Sequence, residues 1–319
     1  MNTIGHIFKL TTFGESHGAA IGGVIDGCPS KWELDFDFIE SELLRRKTAQ
    51  SSTGSQRQEP DQIEWLSGLI DGVTLGTPIA FMVRNMDCKP EDYKALKDIY
   101  RPSHADFTYE QKYGLRDWLG GGRASARTTL PIVVAGAIAK QILKGQDIQI
   151  VAKVTSMGDA EQARKEGDTV GGIVECRIHN VPAGWGEPMF DKFSAELAHA
   201  MFSLPAVKGF EVGDGFALAG MKGSESNDIF VNKEGQITTL TNHSGGIQGG
   251  ITNGNDIVFR VAFKPIPSLA QPQQTVNRAG ESCEITIEGR HDVCALPRAV
   301  VLVEALAAMV TLDMGMMQG

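Results

Sequence analysis

The stretch 298–314 is apolar nearly all the way round. A helix with a single apolar stripe can lie on the edge of a core, but one that is apolar on every side has to be covered on every side. The chain must therefore fold as layers with this helix between them. With 319 residues and 42% apolar content, there is enough material for a sizeable core. Glycine is abundant but spread between apolar runs, with no low-complexity linker, so residues 1–319 read as one compact domain.

Strand-like segments run over 20–26, 62–66, 78–84, 147–155, 171–178, 256–263 and 283–288. Alternation puts Ile148, Ile150, Ala152 and Val154 on one face, and Ile257, Phe259, Val261 and Phe263 on another. Helical periodicity marks 36–47, with Asp35 as N-cap, and 131–144, opened by Pro131 and closed by Gly145. A further helix spans 190–203. Strands and helices interleave without a glycine fingerprint after the first strand, which argues against a doubly wound dinucleotide-binding fold.

A formal charge of −9 excludes a general nucleic-acid-binding surface, so local arginine clusters stand out as a site. The five cysteines are scattered, with no C-x-x-C pair to suggest zinc or a redox motif. Residues 1–6 lack the build of a signal peptide, and no run reaches about 18 apolar residues. A reducing, cytoplasmic setting without membrane attachment is expected.

Several segments carry chemistry. Gly14-Glu15-Ser16-His17-Gly18 ends an alternating stretch, and its glycines leave the imidazole uncrowded or simply make a strand-capping turn. Arg101-Pro102-Ser103-His104 places a guanidinium and an imidazole on a proline-fixed stretch, with Asp106 two residues on; the alternative is a surface loop with a local Arg–Asp pair. Tyr109, Tyr113 and Trp118 offer flat surfaces for a ring. Gly120-Gly121-Gly122-Arg123-Ala124-Ser125-Ala126-Arg127 reads as a glycine-rich loop whose amides and arginines would cradle an anion. Arg45-Arg46-Lys47 either joins that cradle or offsets a helix dipole. In Gly289-Arg290-His291-Asp292, extended geometry turns Arg290 and Asp292 to one side and His291 to the other, favouring Asp292 for site chemistry. The segments 242–250 and 264–268 bring backbone close to a planar ligand or form ordinary turns.

In order, Thr11-Thr12-Phe13-Gly14-Glu15-Ser16-His17-Gly18, Arg101-Pro102-Ser103-His104-Ala105-Asp106, the Gly120–Arg127 run and Gly289-Arg290-His291-Asp292 resemble the signatures of the chorismate synthase family. The similarity continues through Glu59-Pro60-Asp61-Gln62, Tyr109-Glu110-Gln111-Lys112-Tyr113-Gly114, Val207-Lys208-Gly209, Gly213-Asp214-Gly215-Phe216 and Asn242-His243-Ser244-Gly245-Gly246. The resemblance implies an α+β fold, a sandwich of central helices between antiparallel β-sheets, usually a homotetramer. It implies a lyase converting 5-enolpyruvylshikimate 3-phosphate to chorismate by trans-1,4 elimination of phosphate with reduced FMN, in aromatic amino-acid biosynthesis. By the same resemblance His17 supports or protonates reduced flavin, His104 protonates departing phosphate, and Asp292 acts on the flavin N5 proton. Arg46, Arg57, Arg101, Arg127 and Arg290 hold phosphate and carboxylates. The flavin is expected against Arg123, Ala124, Ser125, Pro205, Ala206, Gly249, Lys264, Pro265, Ile266, Pro267, Ser268 and Arg290. No metal is implied, NADPH is a further ligand, and no reductase module is visible, so reduced flavin comes from an external flavin reductase.

Four departures bear on activity. Ser52 stands where the family carries an arginine, Pro205 where it carries an asparagine, and Val293 where it carries a proline, loosening the backbone that aims Asp292. The stretch 158–167 is shorter than in the family, without expected harm to the core. The alternative these raise is a catalytically weakened relative that binds flavin or a phosphorylated ligand.

Overall fold

The computed structural model describes residues 1–47, 59–87, 90–287 and 292–318. Its helices are α1 (Phe36–Arg46), α2 (Asp106–Tyr113), α3 (Leu130–Lys144), α4 (Ala160–Glu166), α5 (Phe193–Phe202), α6 (Gly223–Ser226) and α7 (Leu296–Met316). One antiparallel sheet orders its strands Thr3–Ile4, Lys9–Gly14, Ala20–Asp26, Ile79–Arg84, Ile63–Trp65. A second orders Val207–Val212, Ile257–Phe263, Gly172–His179, Gln149–Met157, again antiparallel throughout.

Between the sheets lie α3 and α7. The first packs on Ala20–Asp26, the second on Gln149–Met157 and Gly172–His179, and the two helices pack on each other, with α1 and α5 alongside. The helix that had to be covered on every side is so covered: α7 is long and apolar enough to cross a membrane, but 83% of its apolar window is buried in this core. The two helices approach closely at Gly136 of α3, where a Cβ would stand 2.3 Å from that of Ala305. Only hydrogen fits there.

Local rules account for most boundaries. Asp35 caps α1 by accepting from the amide of Phe38 at 2.9 Å, and Ile39 and Leu43 are buried. Pro131 sits in the first turn of α3. Along Ile257–Phe263 the alternation is complete, with Ile257, Phe259, Val261 and Phe263 all buried. Gln149–Met157 departs from its expected pattern: Ile148 and Ala152 are buried, but Val154 is exposed because this edge strand runs past the core. The helix expected from 190 starts at Phe193, since Phe190 has φ +56° and faces solvent. The strand expected over 283–288 is Ser282–Ile285, paired with Gln273–Val276.

At the shortened stretch, Asp159 caps α4 and Gly167 ends it at φ +71°, closing the connection without disturbing either sheet. The carbonyl of Val293 accepts from the amide of Val170 at 2.9 Å.

Candidate active site

A cavity of about 790 Å³ opens where the first sheet, the start of α3 and the start of α7 meet. Its first wall is the turn after Lys9–Gly14. Asn85 donates from Nδ2 to the carbonyls of Glu15 and Gly18 at 3.0 and 2.7 Å, fixing the turn that carries Ser16 and His17. The ring of His17 meets Tyr93 edge-on, centroids 5.0 Å apart.

The second wall is the segment 101–106. Ser103 has φ +60°, a left-handed conformation that strains a residue with a side chain, and Lys264 holds it by donating to its Oγ and carbonyl at 2.8 and 2.9 Å. Asp106 opens α2 almost fully buried. It accepts from the backbone amide, Nε and Nη2 of Arg101, and its Oδ1 lies 3.0 Å from Nδ1 of His104. Burial works against its charge, but the bonds from Arg101 and His104 outweigh it and hold the carboxyl well below the usual range. The Arg–Asp pair exists, but buried and not on a surface loop.

The two imidazoles are brought together by glycine. Gly120, Gly121 and Gly122 all have positive φ, at 62°, 80° and 52°. A Cβ on Gly120 would stand 2.1 Å from Nδ1 of His17, and one on Gly121 would stand 3.1 Å from Cε1 of His104. The loop is thus the shared floor of both rings, and it runs through short 3-10 turns into α3.

Arginines form the third wall. Asp61 bridges Arg46 at 3.1 Å and Arg127 at 2.7 Å, and Nε of Arg127 donates to Asn85. Burial lowers Arg46 to about 10, against the pull of Asp61. Of Arg45-Arg46-Lys47, Arg46 and Lys47 face the cavity, whereas Arg45 pairs with Glu42 and Glu304. Opposite, Arg298 in the first turn of α7 reaches Asp292 at 3.2 Å.

Of the residues singled out in the sequence, Arg46, Arg101, His104, Arg123, Ala124, Ser125, Arg127, Pro205, Ala206, Lys264, Ile266, Pro267, Ser268 and Asp292 line this cavity. His17 stands behind its wall, next to lining residues Ser16 and Gly120. Pro265 and Gly249 are not among the lining residues: Pro265 abuts Gly171, and Gly249 lies at the tip of the hairpin that pairs Ile247–Gln248 with Ile251–Thr252. Arg57, Arg290, His291 and Ser52 fall outside the described residues. Tyr109 lines the cavity, while Tyr113 is exposed and Trp118 stacks under Lys97. Sequence reasoning missed Tyr93, Ser103 and Arg298 as lining residues. Arg298 had a signal, the one cation at the head of a largely apolar helix.

Arg46, Lys47, Arg101, Arg123, Arg127, Lys264 and Arg298 outnumber the lining carboxylates Glu59, Asp61 and Asp292. A half-open cavity with surplus cations and imidazoles at and behind its wall, in an α+β sandwich, defines an enzyme that handles anions and protons.

The family model for chorismate synthase matches residues 8–163 and 159–316, two stretches that meet inside the shortened segment. The chain therefore belongs to the chorismate synthase family, and its activity is that of this carbon–oxygen lyase. It is 52% identical to the chorismate synthase of Porphyromonas gingivalis, with 98% of this chain and 95% of that protein covered. It is also 52% identical to the chorismate synthase of Christiangramia forsetii, with 98% and 96% covered. A crystal structure of a chorismate synthase matches with TM-score 0.78 and 28% identity, over 99% of this chain and 93% of that one.

Proposed function

We propose that the cavity binds 5-enolpyruvylshikimate 3-phosphate together with reduced FMN, and that the chain is a fully active chorismate synthase and not a weakened relative. The observation that carries this reading is the surplus of arginine around a half-open cavity walled by His104 and Asp292. A substrate bearing a phosphate and carboxylates supplies the missing negative charge.

Arg46, Arg101 and Arg127 hold those anions, their forks already fixed by Asp61 and Asp106. His104 gives a proton to the phosphate oxygen as the carbon–oxygen bond breaks. His17, from behind the Gly120 floor, supports the negative charge of reduced flavin. Asp292, held by Arg298, manages the proton at the flavin N5.

The residues present fit a flavin. Ala206, Phe263, Ile266, Pro267, Ala299 and Leu302 give the cavity an apolar side for a planar ring, and its volume lies toward the upper end of the roughly 300–1,000 Å³ of small-molecule sites. Reduced FMN, when bound, supplies electron density as phosphate leaves and takes up the hydrogen with no net oxidation. Arg123, Ala124, Ser125, Pro205, Ala206, Lys264, Ile266, Pro267 and Ser268 are the residues assigned to hold it, with Arg290 by resemblance.

The same reading makes the chain one domain working in the cytoplasm as a homotetramer, fed with reduced flavin by an external reductase and with NADPH as the ultimate reductant. Support for assembly comes from Phe216, Ile229, Phe230, Ile237 and Leu240, large apolar side chains left exposed on neighbouring segments.

Purified protein, 5-enolpyruvylshikimate 3-phosphate and chemically reduced FMN under anaerobic conditions should yield chorismate and phosphate in equal amounts. Folded protein that binds both ligands without turnover would leave only the weakened relative standing.

A further inference from the structure

Arg116 belongs to none of the segments expected to carry chemistry, yet it is buried, 8% exposed. Its Nη2 donates to the carbonyls of Leu96, Lys97 and Ile99 at 2.9, 2.8 and 2.8 Å. Its Nη1 lies 2.8 Å from Oδ1 of Asp106, and its guanidinium rests over the ring of Tyr100 at 5.6 Å. One guanidinium thus ties the end of the Pro90–Leu96 turn, which bears Tyr93 against His17, to the carboxylate behind His104.

That carboxylate governs the imidazole. Nδ1 of His104 has two polar neighbours at 3.0 Å, Oδ1 of Asp106 and Nη2 of Arg101. Arginine can only donate and an ionised carboxylate can only accept, so the two demand opposite states of Nδ1. Arg101 forks onto Asp106 through Nε and Nη2, both at 2.8 Å, so the Nη2 hydrogen on that side points at the carboxylate and not at the ring, and the contact of Nδ1 with Oδ1 is the one that sets a donor against an anion. Nδ1 therefore carries hydrogen. Nε2 lies at the edge of the ring toward Gly121, where a Cβ would come within 3.2 Å of it.

We propose that Asp106 and Arg116 are positioning residues for His104: the carboxylate locks hydrogen on Nδ1, so that the proton exchanged with the cavity is the one on Nε2, and Arg116 anchors that carboxylate to the 96–99 turn. The proposal deepens the proton-donor role given to His104 above and rests on that reading for its catalytic meaning. In the transfer, the Nε2–H bond breaks, a phosphate O–H bond forms, and the ring is left neutral with its Nδ1–H still on Asp106. Charged and titratable groups around the ring are Arg101 and Asp106 on its own segment, Arg116 after α2, Tyr109 on α2 and Lys264, which is bonded to Ser103.

The test is ¹⁵N NMR of histidine-labelled full-length protein, which requires no turnover. The wild-type His104 ring should be in the Nδ1–H form when neutral. In Asp106→Asn the Nε2–H form should appear and the midpoint of the ring's titration should fall, because the cations remain without their carboxylate. In Arg116→Gln the midpoint should rise, because the carboxylate has lost a cation, and each move should be about tenfold in proton affinity. Arg116→Lys keeps the charge without the fan of bonds, so its midpoint should stay near wild type while kcat falls more than KM rises. Opposite shifts are what a merely structural role would not produce. A wild-type Nε2–H form, or two variants that shift together or not at all, would overturn the proposal. Should Arg116→Gln not fold, Asp106→Asn and the wild-type tautomer decide it alone. Absence of chorismate formation by wild-type protein would sink the functional reading while leaving the tautomer result in force.

Discussion

Two clusters of charge, one among α1, α3 and α7 and one around the cavity, are built on opposite plans. In the core, Glu42 and Glu304 meet Arg45 and Lys140: Arg45 reaches Glu42 at 2.6 Å and Glu304 at 2.7 Å, and Lys140 reaches them at 2.5 and 2.6 Å. The remaining oxygen of Glu304 accepts from Nη2 of Arg45 and from the amide of Ala152. Two acids and two bases close on one another. Around the cavity, by contrast, cations outnumber carboxylates: Asp61 has Arg46 and Arg127 to itself, and Asp106 has Arg101, Arg116 and His104. A balanced buried cluster fixes the packing of the helices and has no charge left for a ligand. The unbalanced one is preorganised and incomplete, which is how an anion site is recognised.

The largest effect that would break this contrast is on stability. Glu304→Ala leaves Lys140 and Arg45 facing only Glu42 in the core and should lower the unfolding free energy by about 3–5 kcal/mol, with little change in phosphate affinity once folded. A urea midpoint close to wild type would show that the core cluster is not closed. Arg127→Ala should do the reverse: Asp61 keeps Arg46, so stability changes less, whereas substrate affinity falls by about 1.5–3 kcal/mol, or roughly tenfold to over a hundredfold. Equal affinity in a binding titration would remove Arg127 from the anion site.

Acid should strike both clusters. Burial opposes the charge of Glu304, and bonds from Arg45 and Lys140 overcome it; burial likewise opposes Asp61, which Arg46 and Arg127 overcome. Folded values below the unfolded ones, about 3.9 for Asp and 4.3 for Glu, mean the stabilisation is fully present above that range and lost as pH falls through the folded values. Urea midpoints should be level from neutrality to about pH 5 and then drop, less steeply in Glu304→Gln; a rise toward acid would contradict the pairing. The smallest effect belongs to the exposed pair Arg84–Glu64, 2.7 Å apart with side chains 59% and 40% accessible. Arg84→Ala should change stability by no more than about 0.5 kcal/mol in the same assay.

What could be read from the sequence follows the range of the forces involved. Local periodicity marked Ala20–Asp26, α1, α3 and the central α7, because burial repeats along those segments. Val207–Val212 escaped because Lys208 and Gly209 break its pattern where the ladder slips, and α2 because it is a polar helix with weak amphipathy. In the site, His104, Arg101 and Asp106 were legible together, being neighbours in the chain. The Asp61 bridge, the Arg298–Asp292 pair and Arg116 join residues far apart or isolated in sequence, and no local pattern announces them. The core cluster was equally invisible, since α1, α3 and α7 each contribute a part.

The three glycines under the imidazoles have a consequence at the level of the gene. Glycine codons share their first two bases, so a change in the third base alone is silent, whereas a change in either of the others that yields an amino acid adds a β-carbon. At Gly120 that carbon would collide with His17, and at Gly121 it would crowd His104. Three consecutive codons are thus closed to almost every missense drift, and variation in this loop should be confined to synonymous sites while the solvent-facing segments around it change freely.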